Sequence, residues 1–244
     1  LDHMDLTARL REFCAQATDG RDESHGVVHM DEVRRNAIDI WKKEKEHYGD
    51  IDGARIERLI IATALLHDVA DHKYGKTVDQ LCSMETELRL NFSKNDTDLI
   101  MNIIDNISYS KECKIRKSGG VPNWDELGEE GKLVRNIVSD ADKLEAIGII
   151  GVKRCVMYTL EKEREKGGTI SIDTVVNRLI EHGNEKLFIL KDQYIRTAAG
   201  KDMANIRHHE MMMEVRELQA RVENIRDKTY DAGDSSLINI IMGN

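Results

Sequence analysis

The chain of 244 residues carries 45 acidic and 36 basic side chains, which gives a formal net charge of −9. Nucleic acid is bound through clustered Lys and Arg, so this acidic balance disfavours nucleic acid as a partner. No apolar stretch reaches the length of a membrane span. The four cysteines lack CxxC spacing, which is typical of free thiols in a reducing compartment. We therefore expect a cytoplasmic protein without membrane contact.

A single proline, 5% aromatic residues and 33% charged residues favour helices over sheet. Residues 5–17 are predicted to form an amphipathic helix, and a longer helix follows the polar turn that ends at Ser24. His25 and His29 are four residues apart, so they share one face of this second helix if it begins early enough. We expect an all-α fold.

The next predicted helix, residues 54–70, carries an apolar stripe at helical spacing. The stripe leads directly into His67 and Asp68, and Asp71 and His72 follow one turn later. Burial of an unpaired carboxylate is costly, so a His–Asp pair at this place must be hydrogen-bonded, charge-paired or bound to a metal ion. Taken alone, the pair is better explained by a satisfied core histidine beside an exposed aspartate.

Two shorter helices are predicted after this stretch. A capping-box pattern at residues 77–80 starts a helix that runs to about Asn91. The next helix is capped by Asn95 or Asp96. Residues 111–131 hold the only proline and a Gly-Gly pair, so we expect a mobile surface loop there.

Two aspartates, Asp140 and Asp142, interrupt the strongly apolar helical segment that follows this loop. A Gly-Gly loop then leads to predicted helices at about 172–198 and 201–228. An acid within an apolar segment needs a partner for the same reason as the His–Asp pair.

Four features at separated points of the chain need a common account: His29, the His67–Asp68 pair, Asp71 and Asp142. Two imidazoles and two carboxylates form a mixed nitrogen–oxygen ligand set. A mixed nitrogen–oxygen set suits a divalent ion such as Mn²⁺, Fe²⁺, Co²⁺ or Mg²⁺ better than a structural zinc ion, which would recruit cysteines. Four protein ligands leave positions for water and a phosphate oxygen, as a catalytic site requires.

Four motifs occur in order along the chain: SHGVVHMDEV, ALLHDVADHKY, ISYSK and DADKLEAIGIIGVKR. They resemble the HD-domain metal-dependent phosphohydrolases, whose signature is H…HD…D. The similarity is greatest to a small bacterial-type subgroup with the pattern SHDxxHxxRV, ALLHDIADxKF, ISFK and DADRLDAIGAIGxxR, and it covers most of residues 22–155. Two positions depart from that pattern, since Gly26 replaces an Asp and Glu32 replaces an Arg.

The resemblance implies a fold and a domain organisation. We expect an HD-domain helical bundle with additional C-terminal helices. The HD domain with the metal site would span residues 5–160, and a helical extension at 161–244 would pack on it to form one structural unit.

The resemblance also implies the ligands of one divalent metal ion, with Mn²⁺ favoured: His29, His67, Asp68 and Asp142. Asp142 is preferred to Asp140 because it stands in the A-D-K-L frame of the family's last ligand, although the reverse assignment stays open. Two-metal members carry extra histidines between the HD pair and the last Asp. Here residues 69–141 contain only His72, so we expect a mononuclear site.

Asp71 is the candidate catalytic acid–base residue. It comes three residues after Asp68, so on a continuing helix both carboxylates point to one side. In several HD phosphohydrolases an acid at this offset activates the attacking water, and the resemblance implies that role here. The alternative is a helix-end carboxylate that pairs with His72 or Lys73.

Four further residues are expected to contact the substrate: His25, Lys73, Lys143 and Arg154. Lys143 and Arg154 stand where the subgroup also carries basic residues, and they would neutralise a phosphate. Each of these two is also explained as an ordinary salt-bridge partner.

The leading functional hypothesis is a metal-dependent phosphohydrolase. It would cleave a phosphate ester or anhydride of a small molecule, with a nucleotide favoured, through metal-activated water. The alternative is a non-catalytic, metal-binding HD scaffold that senses a nucleotide or binds a partner. The sequence does not indicate the oligomeric state.

Overall fold

The computed structural model describes residues 3–22, 25–71 and 77–244, and it confirms the predicted all-α fold. The helices are α1 His3–Ala17, α2 Val27–Glu44, α3 Gly53–Leu66, α4 Thr77–Asn91, α5 Lys94–Asp105, α6 Tyr109–Lys117, α7 Gly128–Leu144, α8 Ile149–Lys166, α9 Ile172–His182, α10 Leu190–Gln193, α11 Ala198–Val222 and α12 Leu237–Met242. Within these described ranges, no helix is both long enough and apolar enough to cross a bilayer.

The first of two compact units comprises the chain up to Asp142 together with Arg196–Gly200. Its centre is α3, which packs against α1, α2 and α5. This helix is central because every side chain from Leu59 to Leu66 is buried, and all of these except Thr63 are apolar. Asp52 caps its N-terminus by accepting a hydrogen bond from the backbone nitrogen of Arg55.

The second unit comprises Lys143–Ile195 and Lys201–Asn244. It contains α8, α9 and α12, and also a two-stranded antiparallel sheet of β1 (Thr169–Ser171) and β2 (Thr229–Asp231) that the sequence did not predict. Strands of three residues are too short to give a readable alternation of polar and apolar residues. The predicted domain division at residue 160 stays a prediction.

The helix predicted over residues 54–70 is shorter than expected, because α3 ends at Leu66. Residues 67–70 form turns, with backbone bonds from Val69 to Leu66 (3.1 Å) and from Asp71 to Asp68 (3.3 Å). The His67 imidazole donates a hydrogen bond to the carbonyl of Ala64. In a continuing helix this carbonyl would instead accept from the backbone amide of Asp68. We call residues 67–71 the HD turn.

Two boundaries in the middle of the chain also differ from the predictions. Ser93, and not Asn95 or Asp96, caps α5 by accepting from the backbone of Asp96. The predicted loop at 111–131 contains most of α6, whose N-cap is Ser108.

The predicted helix 172–198 is also wrong, because α9 ends at His182 and a π-helical turn, Gly183–Leu187, follows. A side chain at Gly183 would overlap the ring of Phe188, so the close packing of that ring at the turn requires glycine. The last long helix runs over 198–222 and not 201–228.

Candidate metal centre

Three helix ends of the first unit bring the predicted ligands together. His29 is the third residue of α2, His67 and Asp68 directly follow α3, and Asp142 lies in the last turn of α7. The α2 and α3 helices pack side by side along their apolar faces. The carbonyl of Ala141 on α7 accepts a hydrogen bond from the Asn36 side chain on α2 at 3.4 Å.

The distances within this cluster are short. The Nε2 atom of His29 lies 3.1 Å from Asp142 Oδ1 and 3.9 Å from Asp68 Oδ2. The Nε2 atom of His67 lies 3.4 Å from Asp142 Oδ1 and 3.5 Å from Asp68 Oδ2. Both imidazoles therefore present the same nitrogen to the same two carboxylates. We call these four residues the HD cluster.

The His67 ring is held in a fixed orientation. Its Nδ1 atom lies 2.7 Å from the carbonyl of Ala64, and only an N–H can bond a carbonyl, so Nδ1 carries the hydrogen. In the neutral ring Nε2 then has a lone pair. This buried Nε2 atom has no hydrogen-bond partner among the described residues, although the two carboxylates face it.

Charge in the cluster shifts two pKa values in opposite directions. Burial alone lowers the pKa of His67, but the carboxylates of Asp68 and Asp142 reverse that effect and raise it to about 10. Burial alone raises the pKa of Asp142, but the imidazoles of His67 and His29 hold it well below its usual range. Both directions show that the cluster favours a positive charge between its carboxylates.

The HD cluster is compatible with a divalent metal ion, because His29, His67 and Asp68 each offer a ligand atom and these three atoms lie within 4.8 Å of one another. Two ligand atoms about 2.1 Å from one ion lie about 3.0 Å apart at right angles and about 3.4 Å apart at the tetrahedral angle. Three of the four nitrogen–oxygen distances are between 3.1 and 3.5 Å. The side chains of Asp68 and Asp142 are 27% and 31% exposed, so solvent or a ligand can reach their oxygens.

Asp140 lies elsewhere in the first unit and is fully buried. Its Oδ1 atom accepts from the backbone nitrogen of Arg196 at 2.9 Å. Its Oδ2 atom accepts from the backbone nitrogen and the hydroxyl of Thr197, both at 2.7 Å. These bonds anchor the segment before α11 to α7.

Asp71 and His25 do not lie on the helices that the sequence suggested. The prediction that Asp68 and Asp71 share a continuing helix is wrong, because α3 has already ended. Asp71 is half-buried at the end of the HD turn. His25 precedes α2, so it does not stack on His29 as a helical neighbour, and its Nδ1 atom lies 3.0 Å from Asp22 Oδ1.

The other three predicted substrate contacts stay predictions. Lys73 lies outside the described residues. Lys143 is buried in the second unit, with its Nζ atom 5.9 Å from the centroid of the Tyr194 ring. Arg154, in the same unit, donates from Nη1 to the carbonyl of Glu145 at 2.9 Å.

Sequence reasoning missed Arg21, which contacts the HD turn. Its guanidinium donates from Nη1 to the carbonyl of Asp68 at 2.7 Å and from Nη2 to that of Val69 at 2.6 Å. The residue stands in a polar connection with no apolar periodicity, so the sequence gives no signal for this contact.

Two cavities of about 360 and 290 Å³ lie elsewhere in the first unit and share Lys132, Asn136 and Arg196. The second also borders Glu44, which is about 22 Å from His29 along the axis of α2. The candidate site is therefore defined by the HD cluster and not by these cavities.

Comparisons with known proteins support an assignment to a family, although no protein-family model matches the chain. The uncharacterized protein YpgQ of Bacillus subtilis is 30% identical over 213 residues, which cover 85% of this chain and 90% of YpgQ. The crystal structure of YpgQ in complex with ADP superposes with a TM-score of 0.60 and 21% identity, covering 91% of this chain and 97% of that one. An HD-superfamily hydrolase from Bacillus thuringiensis gives a TM-score of 0.61 at 22% identity, with 90% and 98% covered.

The fold and the HD cluster define an HD-type helical domain with a histidine–aspartate centre. Because its identity to YpgQ extends over most of both chains, the protein belongs to the family that contains YpgQ. Its fold is that of the HD-superfamily hydrolase from Bacillus thuringiensis. The resemblance inferred from the H…HD…D motifs is thereby confirmed.

Asp140 is expected to contribute to stability. The Asp140→Ala variant leaves three donors without their acceptor: the backbone nitrogen of Arg196, and the buried backbone nitrogen and hydroxyl of Thr197. We expect the free energy of unfolding to fall by about 3 kcal/mol, measured by urea denaturation. The control is Asp5→Ala, which removes an exposed carboxylate from α1. Equal stability of the two variants would contradict this role for Asp140.

Proposed function

We propose that the protein is a metal-dependent phosphohydrolase that acts on a small phosphorylated molecule, with a nucleotide as the favoured substrate. The observation that carries the proposal is the HD cluster, above all the buried Nε2 atom of His67 that faces two carboxylates. Two carboxylates that face one buried nitrogen need a positive charge between them, and a divalent cation bound by Nε2 would supply it.

In this proposal four residues hold one divalent ion: His29, His67, Asp68 and Asp142. The nitrogen–oxygen set suits Mn²⁺, Fe²⁺, Co²⁺ or Mg²⁺, with Mn²⁺ favoured. When bound, such an ion polarises a phosphoryl oxygen and lowers the pKa of its water ligand. The Ala64 carbonyl supports this arrangement, because its hydrogen bond keeps His67 in the tautomer that ligates through Nε2.

A relative in the same family supports a nucleotide as the substrate. YpgQ, which shares 30% identity with this chain, has been crystallised in complex with ADP. A nucleotide offers both the phosphate that the cation would bind and a phosphate anhydride or ester to cleave. His25, Lys73, Lys143 and Arg154 remain our proposed substrate contacts from the sequence motifs.

Asp71 is proposed as the residue that orients or deprotonates the attacking water. It stands at the end of the HD turn, and its backbone nitrogen bonds the carbonyl of Asp68 at 3.3 Å, which keeps the two residues within one turn. Its half-buried position is compatible with access to water. General acid–base assistance of this kind contributes about 10²–10⁴-fold to rate.

The activity is tested with Mn²⁺ and a panel of nucleotides and sugar phosphates. Phosphate release is measured with and without inorganic pyrophosphatase, so that cleavage to pyrophosphate is also detected. We expect turnover of at least one nucleotide by the wild type and none by Asp68→Ala purified in the same way. If no compound of the panel releases phosphate although metal is bound, the result would instead support the non-catalytic scaffold.

The ligand assignment is tested by metal content. Because His67 and Asp68 supply two of the four ligands, His67→Ala and Asp68→Ala should each abolish metal uptake by elemental analysis. Helicity by circular dichroism should change little, since both residues follow α3. The control Asp140→Ala should retain most of the uptake, because its carboxylate bonds Arg196 and Thr197. Two ions per wild-type chain, or unchanged uptake in Asp68→Ala, would contradict the assignment.

The role of Asp71 is tested with Asp71→Asn, which keeps the shape of the side chain and removes its basicity. We expect bound metal and helicity as in the wild type, and kcat lower by about 10²–10⁴-fold. Asp50→Asn, at an exposed position, is the matched control. Loss of metal would make Asp71 a ligand, and a rate within a few-fold of wild type would exclude it from the chemistry.

A further inference from the structure

The HD turn has carbonyls that its own helix does not satisfy. Because α3 ends at Leu66, the carbonyls of Asp68 and Val69 lie beyond the helical hydrogen-bond ladder. The Asp71 amide bonds the Asp68 carbonyl at 3.3 Å, and each carbonyl can accept a further donor. Arg21 supplies both, through Nη1 at 2.7 Å and Nη2 at 2.6 Å. The two bonded segments are separated by 47 and 48 residues in sequence, so this is a tertiary contact.

Gln80, on α4, completes this contact. Its side-chain amide, oriented with the oxygen toward Arg21, accepts from Arg21 Nη2 at 3.1 Å and donates to the Val69 carbonyl at 3.2 Å. The connection before α2, the HD turn and α4 therefore meet at one guanidinium. We call this group, Arg21 with Gln80 and the two carbonyls, the arginine clamp.

We propose that Arg21 is a positioning residue for the metal centre, a proposal that rests on the proposed function. The carbonyl that Arg21 Nη1 holds belongs to Asp68, and the carboxylate of the same residue lies 3.5 Å from His67 Nε2. Holding two successive carbonyls restricts the backbone of the HD turn, and with it the place of the Asp68 side chain. A ligand fixed before the ion arrives loses less conformational freedom on binding.

The guanidinium of arginine is suited to holding two adjacent carbonyls. A planar guanidinium directs two N–H groups in a rigid fork, so one side chain spans two adjacent acceptors. A lysine ammonium is a point charge without that fork and cannot hold both carbonyls in the same geometry. Residues that orient metal ligands through hydrogen bonds typically affect metal affinity by about 10–100-fold.

The position of α1 does not depend on Arg21. The buried side chains of Leu6, Leu10 and Cys14 pack this helix into the core, where it contacts α3 and α4. Loss of the guanidinium should therefore loosen the HD turn and leave the helices in place. A substitution of Arg21 can therefore distinguish the positioning of Asp68 from a general contribution to folding stability.

The test compares Arg21→Met, which keeps an apolar stem without donors, with Arg21→Lys and with the control Arg9→Met at an exposed site on α1. Mn²⁺ affinity is measured by calorimetry, and the melting temperature is measured with and without Mn²⁺. We expect Arg21→Met to bind Mn²⁺ about 10–100-fold more weakly and to show a smaller metal-induced rise in melting temperature. Arg21→Lys should fall between Arg21→Met and wild type, and Arg9→Met should match wild type.

Two outcomes would contradict the proposal in distinguishable ways. If Arg21→Met melts earlier without metal but binds Mn²⁺ as tightly as wild type, Arg21 supports the fold alone and its positioning role is wrong. If the wild type itself binds no divalent ion, the proposed metal centre fails, and the role of Arg21 fails with it.

Discussion

His67 is buried at the end of an apolar helix, where two carboxylates face its Nε2 atom. A negative pair in this position requires a positive charge between its members. In the structure as described, a proton on the imidazole meets that need, which is why its pKa rises to about 10. A divalent cation meets the same need with twice the charge, and this electrostatic requirement is the physical basis of the proposed metal site.

The surrounding helices hold the imidazoles and carboxylates of the HD cluster close together. The apolar interface of α2 and α3 sets His29 beside His67, and the bond between Asn36 and the Ala141 carbonyl joins α7 to α2 next to Asp142. Two other buried acids fix the start of α11: Asp140 bonds Thr197, and Glu44 accepts from the backbone of Ala199 at 2.8 Å. Asp140 and Glu44 thus bind backbone donors, whereas Asp68 and Asp142 face the imidazoles.

Much of the fold and of the HD cluster was predictable, because the helical periodicity and the sequence motifs indicated the same fold. Helical periodicity predicted the all-α class, and the H…HD…D motifs predicted the family and the residues that meet in the cluster. The end of α3 was not predictable, because it depends on the His67 side chain and on Arg21, a tertiary partner without a sequence signal. The break at Gly183 depends likewise on how closely the Phe188 ring packs.

The most direct test of the central claim is anomalous diffraction from crystals grown with Mn²⁺. The account predicts one anomalous peak per chain, within about 2.0–2.3 Å of His29 Nε2, His67 Nε2 and an oxygen of both Asp68 and Asp142. The absence of a peak at the HD cluster from crystals of a Mn²⁺-saturated protein would contradict it. Two peaks about 3.5–4 Å apart would contradict the single-ion site in particular.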